Sequence, residues 1–245
     1  YQTSTFTQKS PGKHLGFEYS RSHNPTRSRL EECLASLEKG KYAFTADAVD
    51  LNFLDTQDYK THAKQLRGSV MLVGPMLSKY GKGSIPRPGG DKIGRRRLDT
   101  HFEGLKLLGA HFHYNKEDYF YTVSADQLQG QDLLLEEASV TGTANIVMAA
   151  VLANGTTTIY NAACEPYLQQ LCKMLNSMGA KIAGVGSNLL TIEGVSSLSG
   201  TEHHILPDMV EIGSWIGLAA MTKSEITIQN VSWDDLGQIP NVFSK

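Results

Sequence analysis

Cysteine is scarce: Cys33, Cys164 and Cys172 are the only three among 245 residues. They offer neither the number nor the spacing of a disulfide framework or a zinc site. A reducing compartment is the simplest setting for such a chain. A charge excess of one sign is lacking too, since 23 Lys and Arg stand against 25 Asp and Glu, for a net charge of -2. That balance argues against a protein-wide attraction to nucleic acid or to an acidic membrane, and confines any anion binding to local clusters. No run of 18 apolar residues and no basic-then-apolar leader occurs. Nothing therefore points to a membrane span or to secretion, and a cytoplasmic location is expected. His111 and His113 stand two apart, without an acidic or cysteine partner at ligand spacing, so no metal is expected.

What is present is a chain long enough for one large domain or two small ones, 40% hydrophobic and carrying 23 glycines, a composition that suits a soluble globular protein with many turns. Residues 1–27 are polar and turn-rich, and Leu30, Cys33, Leu34 and Leu37 follow at helical spacing. Asp55 or Thr56 can cap a helix after a short strand. The pattern from Gly68 to Tyr80 predicts a buried helix, with Pro75 either kinking it or marking its first turn. Ser84 and Ile85 begin an extended piece, Thr100 to Leu108 a helix with Phe102, Leu105 and Leu108 on one face, and Ala110 to Tyr114 a strand. The order then recurs: helix Asn145 to Ala153, strand Thr156 to Tyr160, helix Tyr167 to Met178, strands Ala180 to Ala183 and Leu189 to Glu193. A third partial copy follows in the helix Glu211 to Met221 and the strand Ile226 to Ile228. LANGTTTIYNA (152–162) aligns with MTKSEITIQNV (221–231), and LKLLGAHF (105–112) with CKMLNSMGAKI (172–182) around a shared Gly-Ala. A period near 70 fits a unit of two helices and several strands, packed around a shared core.

Two stretches stand out chemically. In residues 83–110 a Pro88-Gly89-Gly90 turn is followed by Asp91, Lys92, Arg95, Arg96 and Arg97. Vicinal glycines and planar guanidiniums fit a loop that meets a phosphate or carboxylate; a solvated basic turn or a nucleic-acid contact fits the same residues. Asp91 on such a loop is either a general acid or base or a solvated partner of Arg95 or Arg96. Asp99 and His101 share a face only if extended. The segment Ser139-Val140-Thr141-Gly142-Thr143-Ala144-Asn145 leads small hydroxyl residues into a helix, where free N–H groups either are capped by a side chain or receive a phosphate. It is not a P-loop, because the Gly-Lys-Ser/Thr ending is missing. Glu165-Pro166 reads as a helix entrance. Cys164 and Cys172 resemble small core residues rather than a redox pair.

Residues from about 44 to 245 resemble the enolpyruvyl transferases, in the branch that acts on UDP-N-acetylglucosamine. The runs LRGSVMLVGPMLSKYG, PRPGGDKIGRRRLDTHFEGLKLLGA, GTANIVMAAVLANGTTTIYNAACEPY, MGAKIAGVGSNLLTIEGV and GTEHHILPDMVEIGSWIGLAA carry the likeness. It implies an inside-out α/β barrel-like domain of repeated units, helices inside and sheets outside, in incomplete form. A domain crossover near 206–215 would lead into the beginning of a second domain. It also implies transfer of the enolpyruvyl group of phosphoenolpyruvate to the sugar 3-hydroxyl in peptidoglycan synthesis, with these two molecules as partners and no cofactor. Asp91 stands where the family usually has a cysteine that fosfomycin alkylates, so thiol alkylation is not possible there. By position, Arg67 and Arg96 would meet phosphate groups, and Arg97, Leu98 and Asp99 the uridine. Ser139, Val140, Thr141 and Gly142 would flank the diphosphate, with Glu165 near the closed site. Asp208 and Glu211 match a PDRIE motif whose arginine is Met209 here. A GAKN-like Lys-Asn pair, the second-domain aspartate and the arginines for phosphoenolpyruvate are missing, so a partial or inactive enzyme is expected.

Residues 1–43, YQTSTFTQKSPGKHLGFEYSRSHNPTRSRLEECLASLEKGKYA, resemble instead the N-terminal loop and helix of the pyridoxal-phosphate enzymes of cysteine and methionine metabolism. There Tyr19 and Arg21 would reach the cofactor phosphate of a neighbouring subunit. The Schiff-base lysine and the cofactor domain are absent. The seam near Tyr42 to Ala46 implies a chimeric or truncated remnant as the alternative to an enzyme, with a pyridoxal-phosphate lyase the remoter one; oligomeric state is left open.

Overall fold

The computed structural model describes residues 8–10, 13–14, 54, 56–65, 67–86, 97–116 and 119–243. The chain divides into two compact units, Tyr1–Asp99 with Gly109–Leu128, and Thr100–Leu108 with Gln129–Lys245.

In the first unit, strands β1 (Gln8–Ser10) and β2 (Lys13–His14) pair antiparallel. Helix α1 (Gln57–Gln65) starts at Thr56, whose hydroxyl accepts from the Tyr59 N–H at 3.2 Å. A 3-10 turn, Arg67–Leu72, then leads into α2 (Val73–Tyr80). Pro75 falls in the first turn of α2, where its missing N–H leaves no gap in the helix ladder. At the other end Gly81 adopts φ 68° and donates to the Leu77 carbonyl; a Cβ there would come 2.8 Å from the Ala125 carbonyl oxygen, so glycine is required twice over. Strand β3 (Lys82–Pro86) and the hairpin β4 (His111–Asn115) and β5 (Phe120–Ser124) form an antiparallel sheet of order β3-β5-β4. Leu54, Tyr59, Ala63 and Phe120 cluster beneath Leu72 and Met76, and the buried Tyr59 hydroxyl donates to the Ser84 carbonyl at 2.8 Å.

The second unit is built on α3 (Asp99–Leu107, of which Asp99 itself belongs to the first unit) and α4 (Val140–Ala150). Its sheet runs β6-β7-β9-β8, from Asp132–Leu134, Thr156–Tyr160, Leu189–Glu193 and Lys181–Ala183; β6 and β7 are parallel and the other pairs antiparallel. Alternate residues of β7 and β9 point inward, with Thr157, Ile159, Leu190 and Ile192 buried and their neighbours outward. Helix α5 (Pro166–Ser177) buries Leu168, Cys172 and Leu175. Helix α4 is buried almost all round, from Gly142 to Ala150 with the exception of Met148, so in this unit a helix lies inside and a one-sided sheet outside. Helix α6 (Met209–Thr222), a 3-10 turn (Trp233–Leu236) and the short α7 (Ile239–Phe243) complete it.

The internal period is visible in the backbone. Both units order their strands so that the last of three consecutive strands lies between the other two, β3-β5-β4 and β7-β9-β8. Gly109 and Gly179 both have φ 102°, and Asn161 and Asn230 have φ 58° and 59°. These pairs are the aligned Gly-Ala and Asn positions of the repeats. Three expectations change. The helix expected from Gly68 to Tyr80 is a 3-10 turn as far as Leu72 and an α-helix only from Val73. Helix α4 begins at Val140 rather than Asn145, because Ser139 caps it earlier. Residues Ile226–Ile228 form no strand: they are exposed and pair with none of the described residues, and an extended segment without a partner has no ladder to join.

The approach of α3 to α4 rests on Gly104, where a Cβ would sit 2.2 Å from Ile146 Cδ1 and 2.6 Å from its Cγ1, in a side chain with no exposed surface. Gly104→Ala is expected to lower stability by about 1–2 kcal/mol despite the better helix propensity of alanine. Gly200→Ala, with nothing within 4 Å of the added carbon, should change it by less than about 0.5 kcal/mol. Urea unfolding of the two variants side by side makes the measurement.

Candidate functional site

Arg67 opens the 3-10 turn of the first unit, and its guanidinium donates to the Arg97 carbonyl at 3.2 Å. The Arg97 guanidinium is ion-paired with Asp99, the acidic residue in the first turn of α3. Both partners of that pair are about half exposed, so it contributes little stability but aims the two groups. Leu98, half-buried, sits between them. Three of the residues singled out by sequence are thus brought together. Asp91 and Arg96, with Arg95, lie outside the described residues, as do Tyr19 and Arg21.

In the second unit Ser139 has extended backbone and caps α4, its hydroxyl accepting from the Gly142 N–H at 3.2 Å. The Thr143 hydroxyl donates to the Ser139 carbonyl at 2.7 Å and accepts from the Ala163 N–H at 3.1 Å, tying the turn to the loop before Glu165. Gly142 is needed because a Cβ would approach Thr100 Cγ2 to 2.8 Å. Thr100 in turn reaches Glu137 at 3.4 Å. The turn Ser139-Val140-Thr141-Gly142 is therefore fixed from both sides while Thr141 stays exposed. The Ser139 and Gly142 N–H groups already donate to the Glu137 carbonyl and the Ser139 hydroxyl, which leaves those of Val140 and Thr141, with the positive helix end, to receive an anion.

Sequence reasoning missed what lies beneath. His101 is 2% exposed and Asn145 0%. Asn145 Nδ2 meets His101 Nδ1 at 3.1 Å, and His101 Nε2 meets Thr141 Oγ1 at 3.1 Å. The available signal was an asparagine inside the apolar run NIVMAAVLA, which must find a partner when buried.

Glu165 is the N-cap residue of α5, with Pro166 at the first helical position, yet its side chain makes no capping hydrogen bond. Its Oε2 is buried without a hydrogen-bond partner. Asp208 caps α6, accepting from the Val210 and Glu211 N–H groups at 2.8 and 3.2 Å, and Met209, in place of the motif's arginine, begins that helix. Tyr167 feels both carboxylates: burial first, then Glu165 and Asp208, raise its pKa above the ordinary tyrosine value. His203 has a buried Nε2 without a partner, and the carbonyl of the exposed His204 accepts from Gln170. Among the described residues no three His, Cys, Asp or Glu side chains converge as a metal site, and no helix is long and apolar enough to cross a membrane. Cys172 is buried in α5 as expected, but Cys164 is exposed rather than a core residue.

A profile of the EPSP synthase (3-phosphoshikimate 1-carboxyvinyltransferase) family matches residues 36–242, and one of the Cys/Met metabolism PLP-dependent enzymes matches residues 1–48. The UDP-N-acetylglucosamine 1-carboxyvinyltransferase of Bacteroides fragilis is 65% identical over 204 residues, 83% of this chain and 47% of that protein. The protein of the same name from Porphyromonas gingivalis is 61% identical over 202 residues, 82% of this chain and 46% of its own length. The chain spans about half the length of the curated relatives it matches. The solved structure of the enolpyruvyl transferase NikO from Streptomyces tendae shares the fold, with a TM-score of 0.57 over 77% of this chain and 45% of that one, at 16% identity.

Two outcomes follow from the local chemistry. Burial pushes the Cys172 thiol up to about 11, so it should resist a disulfide reagent at pH 8 in the folded chain while exposed Cys164 reacts; peptide mapping after labelling separates the two. Asp208→Asn keeps a good cap but removes a charge facing Tyr167, and the ultraviolet titration of Tyr167 should move to lower pH. Because the folded pKa of Tyr167 is raised, the stability it contributes is complete below the ordinary value of 10.0 and falls as pH rises through the folded value.

Proposed function

Since the chain belongs to the EPSP synthase family of enolpyruvyl transferases, we propose that it carries the sugar-nucleotide half of a UDP-N-acetylglucosamine enolpyruvyl transfer. In that reaction a bond forms between the sugar 3-oxygen and the enolpyruvyl carbon of phosphoenolpyruvate, the carbon–oxygen bond to phosphate breaks, and inorganic phosphate leaves. The observation that supports this most is the 65% identity over 204 residues to the Bacteroides fragilis enzyme.

In this reading the Ser139–Gly142 turn takes the diphosphate on the N–H groups of Val140 and Thr141 and on the Thr141 hydroxyl. Arg67 and Arg96 meet phosphate oxygens, and Arg97, Leu98 and Asp99 address the uridine. Glu165, with its unpartnered buried oxygen, stands by the reacting hydroxyl, and Asp208 caps the entrance of α6. Asp91 replaces a thiol with a carboxylate that can move a proton but cannot be alkylated as a thiol is. The 245 residues contain no GAKN-like Lys-Asn pair, so phosphoenolpyruvate would be incompletely held and turnover by this chain alone is not expected.

The two family matches, at 1–48 and 36–242, favour a second reading: a chimera joined near residues 42–46, in which a lyase-like segment of residues 1–43 precedes the transferase-like part of 44–245. A pyridoxal-phosphate lyase is not favoured, since that match ends at residue 48.

Calorimetry with UDP-N-acetylglucosamine should show binding that Arg67→Ala weakens about tenfold, with no phosphate release on adding phosphoenolpyruvate. A cooperatively folded sample that fails to bind at millimolar ligand would leave the remnant reading in its place.

A further inference from the structure

Resting on that reading of the Ser139–Gly142 turn, we propose that His101, out of reach of any ligand, is a positioning residue that turns the Thr141 hydroxyl outward as a hydrogen-bond donor. The amide nitrogen of Asn145 can only donate, so His101 Nδ1, 3.1 Å away, accepts. The imidazole proton therefore sits on Nε2 and points at Thr141 Oγ1, also at 3.1 Å. The Thr141 oxygen is occupied as an acceptor on its buried side, and its own hydrogen turns away, towards the exposed mouth of the helix. An acceptor-rich ligand such as a diphosphate then meets a hydroxyl already oriented to donate, beside the Val140 and Thr141 N–H groups of the first helical turn.

The surroundings hold this orientation. His101 and Asn145 are both fully enclosed, so neither exchanges its partner for solvent. Gly104 and Gly142 let α3 and α4 approach closely enough for the ring to bridge them. Without the ring, the Thr141 hydroxyl would rotate freely and would have to be ordered by the ligand itself.

The test is a double-mutant cycle on the full chain, read by calorimetry with UDP-N-acetylglucosamine and by nitrogen-15 NMR of the imidazole. Thr141→Val, at an exposed position, should weaken binding about tenfold. His101→Leu should weaken it by a similar factor and abolish any further effect of Thr141→Val. His101→Gln, which keeps an N–H donor, should recover most of the affinity. Additive effects of His101→Leu and Thr141→Val, or no recovery with glutamine, would overturn the proposal. If the wild-type chain binds no sugar nucleotide, the functional reading fails, and the imidazole signal decides separately: an Nε2-protonated ring supports the orientation, and an Nδ1-protonated ring refutes it.

Discussion

The second unit depends on satisfying the amide of Asn145 inside an apolar helix. Asn145 sits in a run that is otherwise alanine, valine, leucine, isoleucine and methionine, and it is completely enclosed. A buried amide without partners costs a few kcal/mol by transfer estimates, roughly 1–3 in proteins. The His101 ring answers that need only if α3 lies against α4, which is possible only where glycines leave room. The position of α3 in turn fixes Thr100 over Gly142, and hence the geometry of the Ser139 turn. The chemistry at the surface is thus set by a packing condition beneath it.

Elements with a single strong period were legible in advance. Strands Thr156–Tyr160 and Leu189–Glu193 alternate inward and outward residue by residue, and they end where the alternation in the sequence ends. The start of α4 was not, because small hydroxyl residues are compatible with both a loop and a capped first turn, and the hydrogen bond from Gly142 decides between them. Residues Ile226–Ile228 have strand composition but no partner among the described residues, and composition does not report a partner. Along α3 and at its end, Leu105 and Leu108 are enclosed and Phe102 half-buried, and His101 and Gly104, which the apolar pattern does not mark, are enclosed with them.

For the candidate site, the residue types of Arg67, Arg97, Asp99, Ser139 and Asp208 declare what they can bind or cap, and three of them meet as a group in the first unit. The role of His101 was hidden because spacing along the chain cannot reveal a contact 40 or 44 residues away. Glu165 is ambiguous in a different way. It stands at a helix entrance, where acids are common, but its oxygen is buried without a partner, so capping does not explain it.

The repeated strand order carries a consequence for how the chain reaches this structure. The three strands β3-β5-β4 and the three strands β7-β9-β8 of the four-stranded sheet have identical connectivity, with left-handed Gly109 and Gly179 at matching places; they offer a folding chain near-equivalent partners, and repeat proteins misassemble along such routes. The parallel strand β6 distinguishes the copies: it adds to the edge of β7 through Leu133 opposite Ile159, while β3 has no corresponding neighbour among the described residues. A hairpin β4-β5 that strayed onto β7 would compete with β9 for one edge and find the other already taken. The three-residue strand at the edge thus gives the second copy a pairing that tells it from the first.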